Sequence, residues 1–241
     1  MTVSGPTPDP MAPFARALAD AAAGRAAWVR FRRADGSCHE VPAAWFLEPF
    51  AHAQIERPLL TALVERLAAG AHVLDVGCGA GRHALWLQQR GFSVHAIDAS
   101  PAVVQVARAR GVEAEVASVW TLPGADRYQA AVLMGNSVGL AGTGERLPEL
   151  LARLAVHAPL IALDSIDYGA GRGQIRVRVE YGRQAGAWFD WLHVARAELD
   201  QAAQAVGLRA QWVGPAADDS YGVLLSAAAG RNQTALAEPP R

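Results

Sequence analysis

The chain has 241 residues, enough for one sizeable α/β domain with decorations and cramped for two. Hydrophobic residues make up 51%, which supports a real core, yet no apolar run approaches a membrane span and the first twenty residues lack the pattern of a signal peptide. All 22 basic residues are Arg, scattered through a chain of net charge -1, so lysine chemistry is excluded and nucleic acid, which wants a concentrated positive face, is not an expected partner.

Residues 1 to 13 are rich in Pro, Ser and Thr and are expected to fray. Phe14 and Leu18 among alanines predict a short helix over 14–23. Trp28 to Arg32 alternates, Asp35-Gly36 supplies a turn, and Cys38 to Val41 returns, which is a hairpin pattern. Ile55 to Leu67 is an amphipathic helix ending at Gly70. From there strands and helices alternate: strand His72–Val76, helix Arg82–Arg90, strand Ser93–Ile97, helix Pro101–Arg110, strand Val112–Ala117, strand Gln129–Met134, helix Gly144–Val156 and strand Leu160–Leu163. That rhythm predicts a parallel sheet covered on both faces. Gln174 to Tyr181 alternates Ile and Val against Arg and Glu, and Trp188 to His193 is its expected partner in an inserted hairpin. A helix over Ala197–Val206 and strands at Arg209–Val213 and Tyr221–Ala227 complete the pattern. Cys38 and Cys78 are too few for a disulfide framework or a structural zinc site, and a reducing cytoplasm is the expected setting.

A strand feeding Gly77-Cys78-Gly79-Ala80-Gly81 and then a helix is a nucleotide-binding turn. The dinucleotide fingerprint needs a small residue where Arg82 stands, and a phosphate-binding P-loop needs a Lys that the chain lacks. Two acids flank the turn. Asp75 ends the first strand of the pattern and Asp98 the second, so both face one crevice. Asp98 suits a pair of ribose hydroxyls; its other role, as a helix N-cap, falls better to Ser100.

Val73-Leu74-Asp75-Val76-Gly77-Cys78-Gly79-Ala80-Gly81-Arg82-His83 resembles the first motif of the class I S-adenosylmethionine (SAM)-dependent methyltransferases, and Asp98 matches their ribose-binding acid. The resemblance covers roughly residues 55 to 228. It implies SAM as cofactor and a Rossmann-like α/β fold: seven mostly parallel strands in the order 3-2-1-4-5-7-6, the last antiparallel, helices on both faces, with an N-terminal lid and an inserted β-hairpin. The implied division is a lid segment over 1–54, a SAM-binding domain over 55–229 with its insertion at about 172–193, and a flexible tail over 230–241. Gly77, Cys78, Gly79 and Gly81 pass under the methionine portion, with Asp75 behind them and Ala99 beside Asp98. Where relatives place an acid on the adenine amine, this chain has Ser118, Val119 and Trp120, a hydroxyl and an apolar wall.

The segment after the fourth strand, through Gly135 and Asn136, lies beside the sulfonium in this fold. Asn136 can orient an amine, or it can be a turn residue tolerant of positive φ. The segment lacks the Asn/Asp-Pro-Pro-Tyr/Phe pattern of amide and DNA N-methyltransferases and the Pro-Cys of cytosine-C5 enzymes, which favours a small acceptor. Tyr168, Tyr181 and Asp190 are further acid–base or orienting candidates. The tryptophans and phenylalanines of the lid and the hairpin suit a cation–π roof or a hydrophobic glue. The leading expectation is a methyltransferase acting on a small molecule, with a role in secondary metabolism, as a monomer or homodimer with no metal, nucleic acid or membrane partner. One alternative is cyclisation of SAM to azetidine-2-carboxylate and methylthioadenosine, as a branch of this fold does. Another is a non-catalytic SAM-binding regulatory module.

Overall fold

The structure is a computed structural model that describes residues 9–228 apart from 49, 51–53, 126 and 215–218. The expected tail over 230–241 and the first eight residues lie outside the described residues. The expected frayed start does not extend through residue 13, because Asp9 accepts from the Met11 amide (2.8 Å) and α1 (Ala12–Ala22) begins at once, with Pro13 in its first turn.

The central sheet contains β3 (His72–Val76), β4 (Ser93–Asp98), β5 (Ala114–Val116), β6 (Ala130–Leu133), β7 (Leu160–Ile166), β11 (Leu208–Val213) and β12 (Ser220–Ala227). Their order is β5-β4-β3-β6-β7-β12-β11, the 3-2-1-4-5-7-6 arrangement, and only β12 runs antiparallel to its neighbours. Side-chain alternation sends successive residues to opposite faces. Leu74, Val76, Leu133 and Leu163 pack against α5 (Leu147–His157) and α6 (Arg196–Ala205). Val73, Val94, Ala130 and Val132 pack against α2 (Glu56–Val64), α3 (Arg82–Gln88) and α4 (Pro101–Ala109). Both faces are therefore covered, which is why the strands read as nearly unbroken apolar runs.

A second, antiparallel sheet forms the lid. The N-terminal hairpin β1 (Trp28–Arg33) and β2 (Cys38–Pro42) joins the inserted hairpin β8 (Gln174–Tyr181) and β10 (Phe189–Leu192) in the order β10-β8-β1-β2, with the short β9 (Gln184–Ala185) closing on β8. The joint is β1 against β8, with Phe31 opposite Val179 and Arg30 opposite Glu180. One face of this sheet carries Val29, Phe31 and Val179, and it buries them with Phe14 and Leu18 of α1. The same apolar cluster takes in Ala80 of the glycine turn and Val103 and Val106 of α4. The lid thus sits directly on the turn and the helix that follow β3 and β4.

Candidate functional site

The glycine turn is built by three left-handed residues, Gly77 (φ 69°), Gly79 (φ 55°) and Gly81 (φ 75°), a conformation that a side chain would strain. The Gly77 and Cys78 amides both donate to the Ile97 carbonyl, at 2.9 and 3.0 Å, which fixes the turn against the end of β4. A Cβ on Gly81 would stand 2.5 Å from Val112, whereas one on Gly79 would meet nothing within 4 Å. Gly79 therefore faces open space. Its amide donates to Asp98 Oδ2 (3.2 Å), and the Ser100 amide donates to Asp98 Oδ1 (2.9 Å). Ser100, through Oγ on the Val103 amide (3.2 Å), is the N-cap of α4, so Asp98 is not consumed as a cap. Each Asp98 oxygen keeps acceptor capacity beyond its one backbone bond. Burial raises the Asp98 pKa, against the two amides that lower it. Ala99 beside it is exposed.

Asp75 lies behind the turn and is buried. Burial, helped by the nearby Asp98 charge, pushes its pKa from 3.8 up to about 7, against the lowering effects of Arg82 and the Ala84 amide. Its Oδ2 has no hydrogen-bond partner among the described residues. A buried acceptor without a donor is costly, and a cationic donor would relieve it. The Cys78 thiol is also buried, and burial raises its pKa far above the usual range, so it is an inert part of the turn.

A buried ionic cluster supports the far end of the turn. Arg82 pairs with Glu56 Oε1 at the start of α2, and His83 Nε2 lies 3.2 Å from Glu56 Oε2. Burial lowers the His83 pKa, with Glu56 opposing. Asp164, within β7, accepts from the Asn136 amide (2.8 Å), and burial followed by the Glu56 charge raises its pKa to about 6. Asn136 sits at φ 62° after exposed Gly135, so it is a left-handed turn residue. Its side chain is engaged too: Ser165 Oγ donates to its Oδ1 (2.6 Å), and its Nδ2 donates to the Leu192 carbonyl (3.4 Å). Asn136 therefore joins β7 and the lid strand β10 at the crevice. Nothing local in the sequence marks Glu56, which meets its arginine 26 positions later, and Asp164-Ser165 is legible only as a crevice-side segment after the fifth strand, without a role.

The other candidates scatter. The Tyr181 hydroxyl donates to Asp20 Oδ2 (2.7 Å) and so anchors α1 to β8. Tyr168 is exposed, with its ring edge-on to His193 at 5.0 Å. Asp190 is exposed on β10 near Gly142. Among the described residues none of the three is hydrogen-bonded to Asn136: Tyr181 lies on β8, Tyr168 in the loop after β7, and Asp190 beside the segment that Asn136 opens. Ser118 Oγ accepts from the Trp120 amide (3.3 Å), Val119 is buried in the core, and the Trp120 ring is stacked by the Arg146 guanidinium at 3.9 Å. That stacking takes one face of the expected apolar wall. Trp191 of β10 lies on Gly139, where a Cβ would come within 2.2 Å of the indole. Among the described residues, a cavity of about 340 Å³ lies beside His95, Arg108 and Glu115, and one of about 280 Å³ between Thr143, Glu145, Gly171, Gln174 and Glu198; neither is lined by Gly77, Gly79 or Asp98.

Among the described residues no cluster of His, Cys, Asp and Glu could hold a metal ion, and no helix is long and apolar enough to cross a membrane.

Residues 73–158 match the family described as "Methyltransferase domain". A solved SAM-dependent methyltransferase from Bacteroides fragilis, in complex with S-adenosyl-L-homocysteine, is 27% identical; the likeness covers 93% of this chain and 98% of that one, with a TM-score of 0.79. The CcbJ methyltransferase from Streptomyces caelestis shares the fold at 16% identity, over 74% of this chain and 92% of its own, with a TM-score of 0.58. A ubiquinone biosynthesis O-methyltransferase from Xanthomonas oryzae is 50% identical over 48 residues, a stretch that spans 20% of this chain and 20% of that relative. Residues 73–158 are thus similar to a methyltransferase domain, and the Rossmann-like fold of the whole chain is similar to that of a solved SAM-dependent methyltransferase.

Proposed function

We propose that this chain binds SAM along the glycine turn and transfers its methyl group to a small acceptor held beneath the lid. The observation that carries the reading is the turn itself, where Gly79 faces open space between Asp98, which keeps acceptor capacity, and Asp75, which has an orphaned buried oxygen. That pair of acceptors fits the group from both ends. Asp98 would take the ribose hydroxyls and Asp75 the ammonium of the methionine part. When bound, SAM supplies a methyl group on a positively charged sulfur, whose carbon–sulfur bond breaks as the acceptor forms its own bond to carbon.

The chain's own contribution is orientation and the exclusion of water. The Gly135-Asn136 segment, fixed by Asp164 and Ser165, sets the floor beside the reacting carbon. Trp191 and the lid strand β10 lie over that segment, an arrangement that favours a small acceptor over a macromolecule. Oxygen as the accepting atom is the finer reading, supported by the 48-residue likeness to an O-methyltransferase.

The test is to incubate the purified protein with SAM, alone and with a panel of hydroxylated small molecules, and to identify the nucleoside released. Adenosylhomocysteine formed only with an acceptor is the expected result. Methylthioadenosine from SAM alone would replace this reading with cyclisation, and tight SAM binding without product would make the chain a binding module. Asp98→Ala is expected to weaken adenosylhomocysteine binding by more than about tenfold in calorimetry, since bonds to a charged acceptor are lost.

A further inference from the structure

The lid meets the glycine turn through more than apolar packing. Its connecting 3-10 helix (Ala43–Phe46) ends in backbone carbonyls that a helix terminus leaves without internal donors. Two arginines from the cofactor side supply those donors. Arg82 Nη1 reaches the carbonyls of Trp45 (3.2 Å) and Glu48 (3.5 Å), while its other nitrogen is committed to Glu56. Arg110, at the end of α4, donates through Nη2 to the Leu47 carbonyl (2.6 Å) and through Nη1 to the Ala80 carbonyl, inside the glycine turn. A single half-buried guanidinium therefore spans from the lid to the middle residue of Gly79-Ala80-Gly81. At the other end of α4, Ser100 Oγ donates to Asp9 Oδ2 (2.6 Å), ahead of α1. The lid is thus fastened at both ends of the helix whose N-terminal residues adjoin Asp98.

We propose that Arg110 is a positioning residue that latches the lid turn to the cofactor loop, so that opening the lid and loosening the glycine turn are one event. Arg82 is less suited to this part, because its buried pairing with Glu56 ties it to the core independently of its bonds to the lid turn. Among the described residues Arg110 has no such anchor in the core: its hydrogen bonds are to two backbone carbonyls, one on each side of the joint, with the Glu48 charge of the lid turn nearby. The planar fork of arginine spans two carbonyls at once, which an ammonium does less well. The consequence for ligand release rests on the proposed binding of SAM along the turn; the latch itself does not.

The experiment uses amide hydrogen exchange in the ligand-free protein. The Leu47 and Glu48 amides, which donate to Ala44 within the lid turn, report lid opening, and the Val132 amide of β6 reports global unfolding. Arg110→Met is expected to raise exchange at Leu47 and Glu48 by at least about tenfold relative to Val132, and Arg110→Lys to fall between it and the wild type. Unchanged exchange at Leu47 and Glu48 in Arg110→Met would overturn the latch. In a second arm, adenosylhomocysteine is expected to dissociate about tenfold faster from Arg110→Met, with association little altered. An equal dissociation rate would overturn the coupling to the cofactor loop. If the wild-type protein does not bind adenosylhomocysteine, the proposed function falls, and the exchange arm still decides the latch.

Discussion

The two sheets of this chain handle charge in opposite ways. The central sheet is buried on both faces, and the charges at the rim of its strands are buried with it: the Glu56 and Arg82 side chains are 0% and 5% exposed, and Asp75 and Asp164 are equally enclosed. The lid sheet buries one face only. Its outer face carries Arg30, Arg32 and Arg178, which converge on Glu180 while remaining 31–42% exposed. A buried ion has one low-energy arrangement because losing its partner leaves a desolvated charge, whereas an exposed ion exchanges its partner for water at little cost. Buried charges thus fix geometry around the glycine turn, and lid charges mainly keep a face soluble.

The largest expected effect follows from that difference. Glu56→Ala strands the Arg82 guanidinium in the core and is expected to cost about 3–5 kcal/mol, read from the midpoint of denaturant unfolding. A loss below about 1 kcal/mol would mean that water reaches the pair and that the contrast between the sheets is false.

A pH dependence should set the two regions apart in the same sense. Asp75 titrates at 3.8 when unfolded and near 7 when folded, so between those values the folded state holds a proton that the unfolded state has released. Stability should therefore fall as pH rises from about 4 to 7, with Asp164 adding to the slope up to about 6. Asp75→Asn should flatten the profile of midpoint against pH. In the lid, Glu180 has its pKa lowered by Arg32, with burial opposing, so its contribution has the other sign and is lost only as pH drops through the acid range. A profile that keeps its full slope in Asp75→Asn would place the buried proton elsewhere.

The central sheet was largely legible because its signals are local: apolar runs of strand length, Pro101 opening a helix, and Gly91 and Gly111 closing two. The strand order came from the resemblance carried by residues 73–83 and Asp98. The lid was legible only in pieces. Each hairpin shows period-two alternation, but nothing in either one specifies that Arg30 should pair with Glu180. Side-chain partners were hidden for the same reason. Nothing near Tyr181 in the sequence shows that α1 brings Asp20 to its hydroxyl, and nothing near Trp120 shows that Arg146 covers one face of its ring.

Where the lid meets the core, sensitivity should return. Gly139 lies under the Trp191 indole, and the Cβ of Gly139→Ala would need the ring or the backbone to shift. Overpacking of this kind costs about 1–3 kcal/mol, and a change in tryptophan emission should accompany the loss. Unaltered emission and stability would show that the hairpin rides free of the segment containing Asn136.

The smallest effect is expected on the lid's outer face, and it separates two views of Glu180. If Glu180 holds the sheet together through its arginines, Arg30→Ala should loosen the β1–β8 joint. If it serves solubility, Arg32 and Arg178, each within 2.8 Å of Glu180 Oε1, absorb the loss. Arg30 also pairs with Glu40, but both side chains are more than 40% exposed, so that pair competes with water. The exposed geometry favours the second view, with a cost below about 0.5–1 kcal/mol that shrinks further in high salt. A double-mutant cycle of Arg30→Ala with Glu180→Ala measures the coupling directly. A coupling above about 2 kcal/mol would show that the pair is desolvated in solution, and the lid would then share the core's way of using charge.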